Sequence, residues 1–274
     1  MRKDKRRDDR RMPLLMTASV STRGMRFALF SNEEREDMYV EALTYYIEHL
    51  LPRSAEQTIV FAENSGWDLD RIKRRLPNYD EDRIEFISLH PDEFDISKGK
   101  GYNELLLINK TIELSEHISK AGAFFKVTGR YPIHNIAYLM RDASHKVYDE
   151  GYSFYCDIKD HKLYDWLRLG WCGHAFEARL WGGVKDFYKQ YIAEKYVECD
   201  DSKDRYVEGV LFDFIKQPHD EKISIRFKRE PRFGGKEGSN IQVMSFTADH
   251  RSLKSRLKMA VGDMIRTLTP WFKF

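Results

Sequence analysis

The chain has 274 residues, 42% of them hydrophobic and 14% aromatic, which is enough apolar material for a buried core and too much for a chain disordered over its bulk. Basic and acidic residues nearly cancel at a formal net charge of +2, so the overall charge gives no reason to expect nucleic acid as a partner. Cys156, Cys172 and Cys199 are odd in number and have no Cys-x-x-Cys spacing, which predicts reduced thiols in a cytoplasmic chain rather than a disulfide framework. No run approaches the ~18 apolar residues of a membrane span. Asp4, Asp8 and Asp9 interrupt the basic N-terminus, and no apolar signal core follows them.

Residues 1–11 are almost wholly charged and read as a disordered tail. A strand is expected over 13–20. Over 33–51 the apolar positions Met38, Ala42, Tyr45, Tyr46 and Leu50 have helical spacing, opened by Ser31-Asn32 as a cap. A second strand over 57–62 stops at Glu63-Asn64-Ser65-Gly66, a short helix over 68–76 is capped by Asp68, and a third strand covers 83–89. Lys98-Gly99-Lys100-Gly101 opens a long helix over 102–119, and a fourth strand, 123–128, runs into Gly129-Arg130-Tyr131-Pro132.

A fifth strand is expected over 153–158. An amphipathic stretch over 174–196 reads as helical from 184 onward, and a further helix covers 203–217. Strands over 223–227 and 241–246 flank a loop, 231–239, that contains Gly234, Gly235 and Gly238. The segment 250–274 reads as an amphipathic basic helix, with Trp271-Phe272-Lys273-Phe274 at its end. The alternation of strand and helix predicts an α/β fold: a Rossmann-type, mostly parallel sheet flanked by helices, with a small C-terminal α+β extension.

In an open parallel sheet, ligands bind outside the carboxyl ends of the strands. Thr17-Ala18-Ser19, Glu63-Asn64 and Lys126-Val127-Thr128-Gly129-Arg130-Tyr131 should therefore converge on one crevice. Glu63 and Asn64 could bond a base or ribose, or Asn64-Ser65-Gly66 could be only a turn. Lys100, between two glycines at a helix start, could hold phosphate or sit in a solvated loop. Lys126 lies inside an apolar strand and needs a partner or a wet site for its charge. Arg130, just past a glycine, has the fork to grip a diphosphate.

Asp157 and Asp160 resemble a loose metal-binding or base-bearing strand end, although such a loop is often only a turn. In His174-Ala175-Phe176-Glu177-Ala178-Arg179, a base and its orienting carboxylate could lie three residues apart. Cys172 and His174 together raise zinc, but without two further spaced ligands. A satisfied His–Glu–Arg cluster explains the same residues.

Taken in order, several runs resemble a group of bacterial glycosyltransferase-like proteins often encoded with capsule or lipopolysaccharide genes. They are the 15–20 opening, Val60-Phe61-Ala62-Glu63-Asn64-Ser65-Gly66, Gly99-Lys100-Gly101-Tyr102-Asn103-Glu104, Phe125-Lys126-Val127-Thr128-Gly129-Arg130-Tyr131 and His174-Ala175-Phe176-Glu177-Ala178-Arg179-Leu180. The resemblance covers about residues 13–245, and the Lys-x-Thr-Gly-Arg-Tyr run is its most specific part. It implies a GT-A-like catalytic domain over 12–249, and a nucleotide-sugar donor whose sugar passes to a hydroxyl of a glycan or lipid-linked acceptor in surface polysaccharide assembly.

On that reading Thr17, Ser19, Glu63, Asn64, Lys100, Lys126, Thr128, Arg130 and Tyr131 face the donor nucleotide. His174, Glu177 or Asp157 deprotonates the acceptor, and Arg179 serves the acceptor side. Such folds typically place Asp-x-Asp after the fourth strand to hold Mg²⁺ or Mn²⁺. Here Lys126-Val127-Thr128-Gly129-Arg130 stands there instead, so no metal ligands are assigned and cationic side chains are expected to neutralise the leaving phosphate. The rivals are a metal-dependent nucleotidyltransferase or sugar-phosphate hydrolase using Asp157 and Asp160, and an inert nucleotide- or glycan-binding module. The basic C-terminal helix would either pack on the domain or rest on a membrane.

Overall fold

The structure, a computed structural model, describes residues 10–24, 29–160, 173–235 and 253–268. The first half alternates as the pattern predicts. Strand β1 (Leu14–Ala18) leads to helix α1 (Asn32–His49), then to β2 (Ile59–Glu63), α2 (Leu69–Lys73) and β3 (Ile84–Ser88). Next come α3 (Lys100–Leu114), α4 (Glu116–Ala121) and β4 (Ala123–Thr128). These four strands are parallel in the order β3-β2-β1-β4. All five residues of both β1 and β2 are buried, as expected of strands covered on two faces. Ser31 caps α1 through a reciprocal box: its hydroxyl accepts from the Glu34 N–H, and Glu34 accepts from the Ser31 N–H.

Beyond β4 the chain departs from the expected pattern. Helix α5 (Ile136–Ser144) has no counterpart in the sequence reading. The strand expected over 153–158 divides into β5 (Phe154–Tyr155) and β6 (Ile158–Lys159), with β6 pairing instead with β7 (Ala175–Phe176) in a small separate ribbon. Residues 180–184, taken as part of an amphipathic stretch, form β8 (Leu180–Val184), which lies antiparallel between β4 and β5. Two glycines conceal this strand, and packing requires both. A β-carbon on Gly182 would lie 2.8 Å from the Phe125 ring, and one on Gly183 would lie 2.7 Å from the Phe154 ring.

After β8 a short helix α6 (Lys185–Phe187) continues as irregular helical turns to Glu198, followed by α7 (Val207–Lys216), the edge strand β9 (Ile223–Ser224) and α8 (Leu253–Leu268). The helix expected over 102–119 breaks at Ser115, whose hydroxyl caps α4 at the Ile118 N–H and donates to Glu85. The strand expected over 241–246, the loop beyond Gly235, Cys172 and most of the charged N-terminal run lie outside the described residues.

Successive strand residues face opposite sides, so the sheet carries two cores. Leu14, Met16, Phe125 and Val127 pack with α1 and α5 on one side. Leu15, Val60, Ala62, Phe124 and Trp181 pack with α3 and α7 on the other. At roughly 1.5–3 kcal/mol per large side chain fully buried, these two layers hold the sheet rigid beneath its polar carboxyl edge. No helix among the described residues is long and apolar enough to cross a membrane.

Candidate functional site

The carboxyl ends of β1, β2 and β4 open into a crevice of ≈780 Å³, a size that suits a nucleotide-scale ligand. Its walls include Thr17 and Ser19 at the end of β1, Asn64 after β2, and Thr128, Arg130 and Tyr131 at the end of β4 and just beyond it. Lys100 and Glu104 come from the start of α3, and His174, Arg179 and Glu208 complete the opposite side. Gly129 is required where β1 and β4 converge, because a β-carbon there would lie 2.8 Å from the Thr17 carbonyl oxygen.

The floor is a buried polar network. Lys126 is fully buried and never reaches the crevice: its ammonium contacts Glu104 at 2.7 Å and donates to the Ala178 carbonyl at 2.7 Å and to Thr128 Oγ1 at 3.1 Å. The expectation that Lys126 grips phosphate is therefore corrected, since its charge is used beneath the site. Glu104 also accepts from Thr17 Oγ1 at 2.7 Å and Thr128 Oγ1 at 3.2 Å. Burial pushes the Glu104 carboxyl up, but Lys126 and the two hydroxyls outweigh it and hold the group below its ordinary value.

Glu63 is also corrected. Fully buried, it accepts from the backbone N–H groups of Val20, Ser65 and Trp67 and from the Ser65 hydroxyl. It builds the β2 turn and presents nothing to a ligand, and Gly66 at φ +71° completes that turn. Asn64 does line the crevice, and its buried Oδ1 has no hydrogen-bond partner among the described residues.

Cations crowd the corner between α1, α3 and β4. Arg35, 5% exposed, donates to the Ser19 and Val20 carbonyls and lies beside Tyr39, whose hydroxyl accepts from the Ser19 N–H. Arg130 donates to the Tyr131 hydroxyl at 3.0 Å, packs its guanidinium over that ring, and keeps a buried Nε without a partner among the described residues. Desolvation, and then the nearby charges of Arg130 and Arg35, lower the Lys100 ammonium to about 8. The Lys100 backbone N–H donates to Asp201 Oδ2 at 2.8 Å, closing the start of α3. Across the crevice, burial and the neighbouring Glu104, Glu177 and Asp201 push the Glu208 carboxyl up.

On the far wall, His174 Nδ1 lies 3.3 Å from Asp160 Oδ1, and Asp160, 1% exposed, also binds Lys216 at 2.9 Å. The carboxylate that orients His174 is thus Asp160 and not Glu177. Glu177 forms two 2.6 Å hydrogen bonds with Arg179, which hold its carboxyl below the ordinary value despite burial. Asp157 is corrected as well: it lies outside the crevice, 2.8 Å from Arg266 of α8, and burial pushes its carboxyl up in spite of that arginine.

The sequence reading missed Arg35, Tyr39, Asp201 and Glu208. Arg35 and Tyr39 stand four apart on the buried side of α1, a spacing that carried a usable signal. Among the described residues no group of three His, Cys, Asp or Glu is placed to hold a metal ion. The donor set after β4 is a hydroxyl, a backbone glycine and a guanidinium, which fits an anion and does not fit Mg²⁺ or Mn²⁺.

No family model matches the chain, and no curated protein is similar to it in sequence. Among solved structures it is similar to the mannosyltransferase Ktr4p from S. cerevisiae in complex with GDP, with TM-score 0.46 and 10% identity over 89% of this chain and 77% of that one. It is also similar to an active-site mutant of LgtC, with TM-score 0.44 and 14% identity over 80% of this chain and 74% of that one. The functional reading therefore rests on the residues of the crevice.

Proposed function

We propose that the chain is a glycosyltransferase that moves a sugar from a nucleotide-activated donor to a hydroxyl of a glycan or lipid-linked acceptor in surface polysaccharide assembly. One observation carries the reading: Arg35, Lys100 and Arg130 share one corner of a nucleotide-sized crevice at the carboxyl edge of the sheet. Gathering three like charges costs free energy that a diphosphate would recover. The order of the motif runs, which resembles glycosyltransferase-like proteins, points the same way.

In this reading the donor diphosphate lies against Lys100 and Arg130, with Arg35 behind them. Asn64 Oδ1 and the Ser19 region meet the nucleoside. The acceptor oxygen attacks the anomeric carbon as His174, oriented by Asp160, takes its proton. The bond from that carbon to the diphosphate oxygen breaks, and the electron pair leaves on the phosphate, where the cations neutralise it. Arg179 lies on the acceptor side, tied to Glu177. A hydrolase or nucleotidyltransferase built on Asp157 and Asp160 is less well supported, because these carboxylates are committed to Arg266 and to His174 and Lys216.

The test is a thermal-shift screen against UDP, GDP, CMP, ADP and dTDP compounds, with and without Mn²⁺ and with and without EDTA. A ligand at 100 times its dissociation constant stabilises by about 2.7 kcal/mol, a clear shift in melting point. A selective shift that disappears in Arg130→Ala, together with donor turnover when an acceptor is supplied, supports the transferase. A shift without turnover identifies a binding module, and no shift with any nucleotide removes the reading.

A further inference from the structure

Helix α8 docks the wrong way round for a helix that completes a core. At 3.6 residues per turn, Leu257, Val261, Met264 and Leu268 fall within about 60° of one another on the helix surface. All four are exposed, Leu257 and Leu268 by 66% and 65%. The contacts to the domain come from the other side and are largely polar. Arg266 binds Asp157 and approaches the Phe227 carbonyl, and Asp263 accepts from the Glu230 N–H and binds Arg232. The side turned to the domain, with Met259, Asp263, Ile265 and Arg266, is thus only half-buried, while an apolar stripe is left exposed.

The segment that receives α8 also borders a cavity of ≈420 Å³ in which Arg10, Arg11, Arg141 and Lys228 outnumber Asp142 and Asp149. Ser144, 4% exposed, lines the same cavity, and its Oγ has no partner among the described residues. The helix contact and the cavity contact lie on adjacent residues: the Phe227 carbonyl faces Arg266 of α8, and the Lys228 ammonium pairs with Asp142 at the cavity. Arg10 and Arg11, which line this cavity, close an N-terminal stretch of sequence in which seven Lys and Arg residues outnumber three aspartates. In sequence, residues 250–274 carry six Lys and Arg residues and Asp263 as the one acidic residue.

We propose that α8 and this cavity form a docking face for an anionic lipid bilayer. The stripe enters the boundary between headgroups and acyl chains, and the cavity receives a lipid phosphate. An interfacial helix has this composition, apolar on one side and rich in Lys and Arg, and stable attachment takes two signals of this kind acting together. A second copy of the chain fits the stripe less well, because it would bring the same excess of positive charge against it, which a bilayer rich in anionic lipid neutralises. The proposal does not depend on the transferase reading, since binding is measured without turnover.

The experiment is co-sedimentation of the full chain with vesicles of phosphatidylglycerol and phosphatidylcholine, compared with phosphatidylcholine alone, alongside sedimentation equilibrium without lipid. The wild type is expected to bind the anionic vesicles and to be released by about 0.5 M salt, which screens the charges. Leu257→Ser/Met264→Ser/Leu268→Ser, with unchanged melting temperature, should lower partitioning at least tenfold. Arg10→Ala/Arg11→Ala should lower it by about 25-fold while leaving the stripe intact, at roughly fivefold per cation. Equal binding to both vesicle types, no loss in either variant, or a dimer that the triple serine variant converts to monomer would each overturn the proposal.

Discussion

Lys126 and Glu104 meet at 2.7 Å beneath the crevice floor, joining β4 to α3 across the β1 strand end. Lys126 is fully buried, and Glu104 keeps about a quarter of its side chain open to the crevice. The pair therefore separates two roles that one residue was expected to fill: Lys126 carries the compensating charge, and Glu104 presents a fixed carboxylate that holds Thr17 and Thr128 in place.

Lys126→Met leaves Glu104 without its cation, and the cost expected for breaking such a buried pair is about 3–5 kcal/mol. Lys126→Met/Glu104→Leu removes both charges and should recover at least half of that loss. Urea denaturation of the two variants decides the matter. A single-variant loss below ~1 kcal/mol would mean that Lys126 is not committed to this pair. The sign with pH follows from the lowered Glu104 carboxyl: its stabilisation is present above the ordinary carboxylate value and is lost as the pH falls through the lower folded value.

The parts of the site legible in the sequence were those written in local pattern. Thr17, Asn64, Thr128 and Arg130 each follow an apolar run that ends abruptly, and the switch-point rule then gathers them. What escaped was pairing across the chain. Nothing local joins Lys126 to a helix residue 22 positions earlier, so its charge looked available to a ligand. By spacing the orienter of His174 is Glu177, three residues on, and only the pairing of β6 with β7 brings Asp160 to the imidazole instead. Strand β8 was hidden because Gly182 and Gly183 make room for Phe125 and Phe154, an aromatic demand that no period-2 pattern shows.

His174→Ala should lower turnover by about 10²–10⁴-fold if the imidazole takes the acceptor proton. Asp160 acts through it, so Asp160→Asn is expected to lower kcat with KM for the donor unchanged, and Asp160→Glu to restore part of the loss. Steady-state kinetics separates this from a purely structural role. A rise in donor KM, or a fall in melting temperature that accounts for the lost activity, would refute the positioning role.

Gly99 combines two constraints. It sits at φ +90°, and an added β-carbon would lie 2.2 Å from the Asp201 carboxyl group that closes α3. Gly99→Ala should therefore cost about 2–3 kcal/mol, because with ψ −167° its backbone lies in a region that essentially only glycine occupies. Displacing Asp201 should also shift Lys100 and weaken nucleotide binding. Asp201→Asn keeps an oxygen for the cap and should cost less than ~1 kcal/mol in the same denaturation series. Equal losses in the two variants would place the importance of this corner elsewhere.

If a nucleoside diphosphate occupies the crevice, Lys100 should set the pH dependence of its binding. With its ammonium lowered to about 8, the side chain is charged below that pH and neutral above it. The diphosphate of a nucleotide sugar is fully ionised across this range, so at the phosphate corner only the protein titrates. Between pH 7 and 9 the charged fraction of such a lysine falls from about nine-tenths to about one-tenth, and affinity measured by calorimetry should fall by up to about tenfold. The free protein responds in the opposite direction: from about 8 towards the ordinary lysine value the unfolded chain still binds the proton that the folded chain has released, so folding stability rises with pH. Lys100→Arg should hold the affinity flat over pH 7–9, and Lys100→Gln should make it weak and flat. An affinity that falls identically in wild type and in Lys100→Gln would assign the titration to another group and remove Lys100 from the phosphate corner.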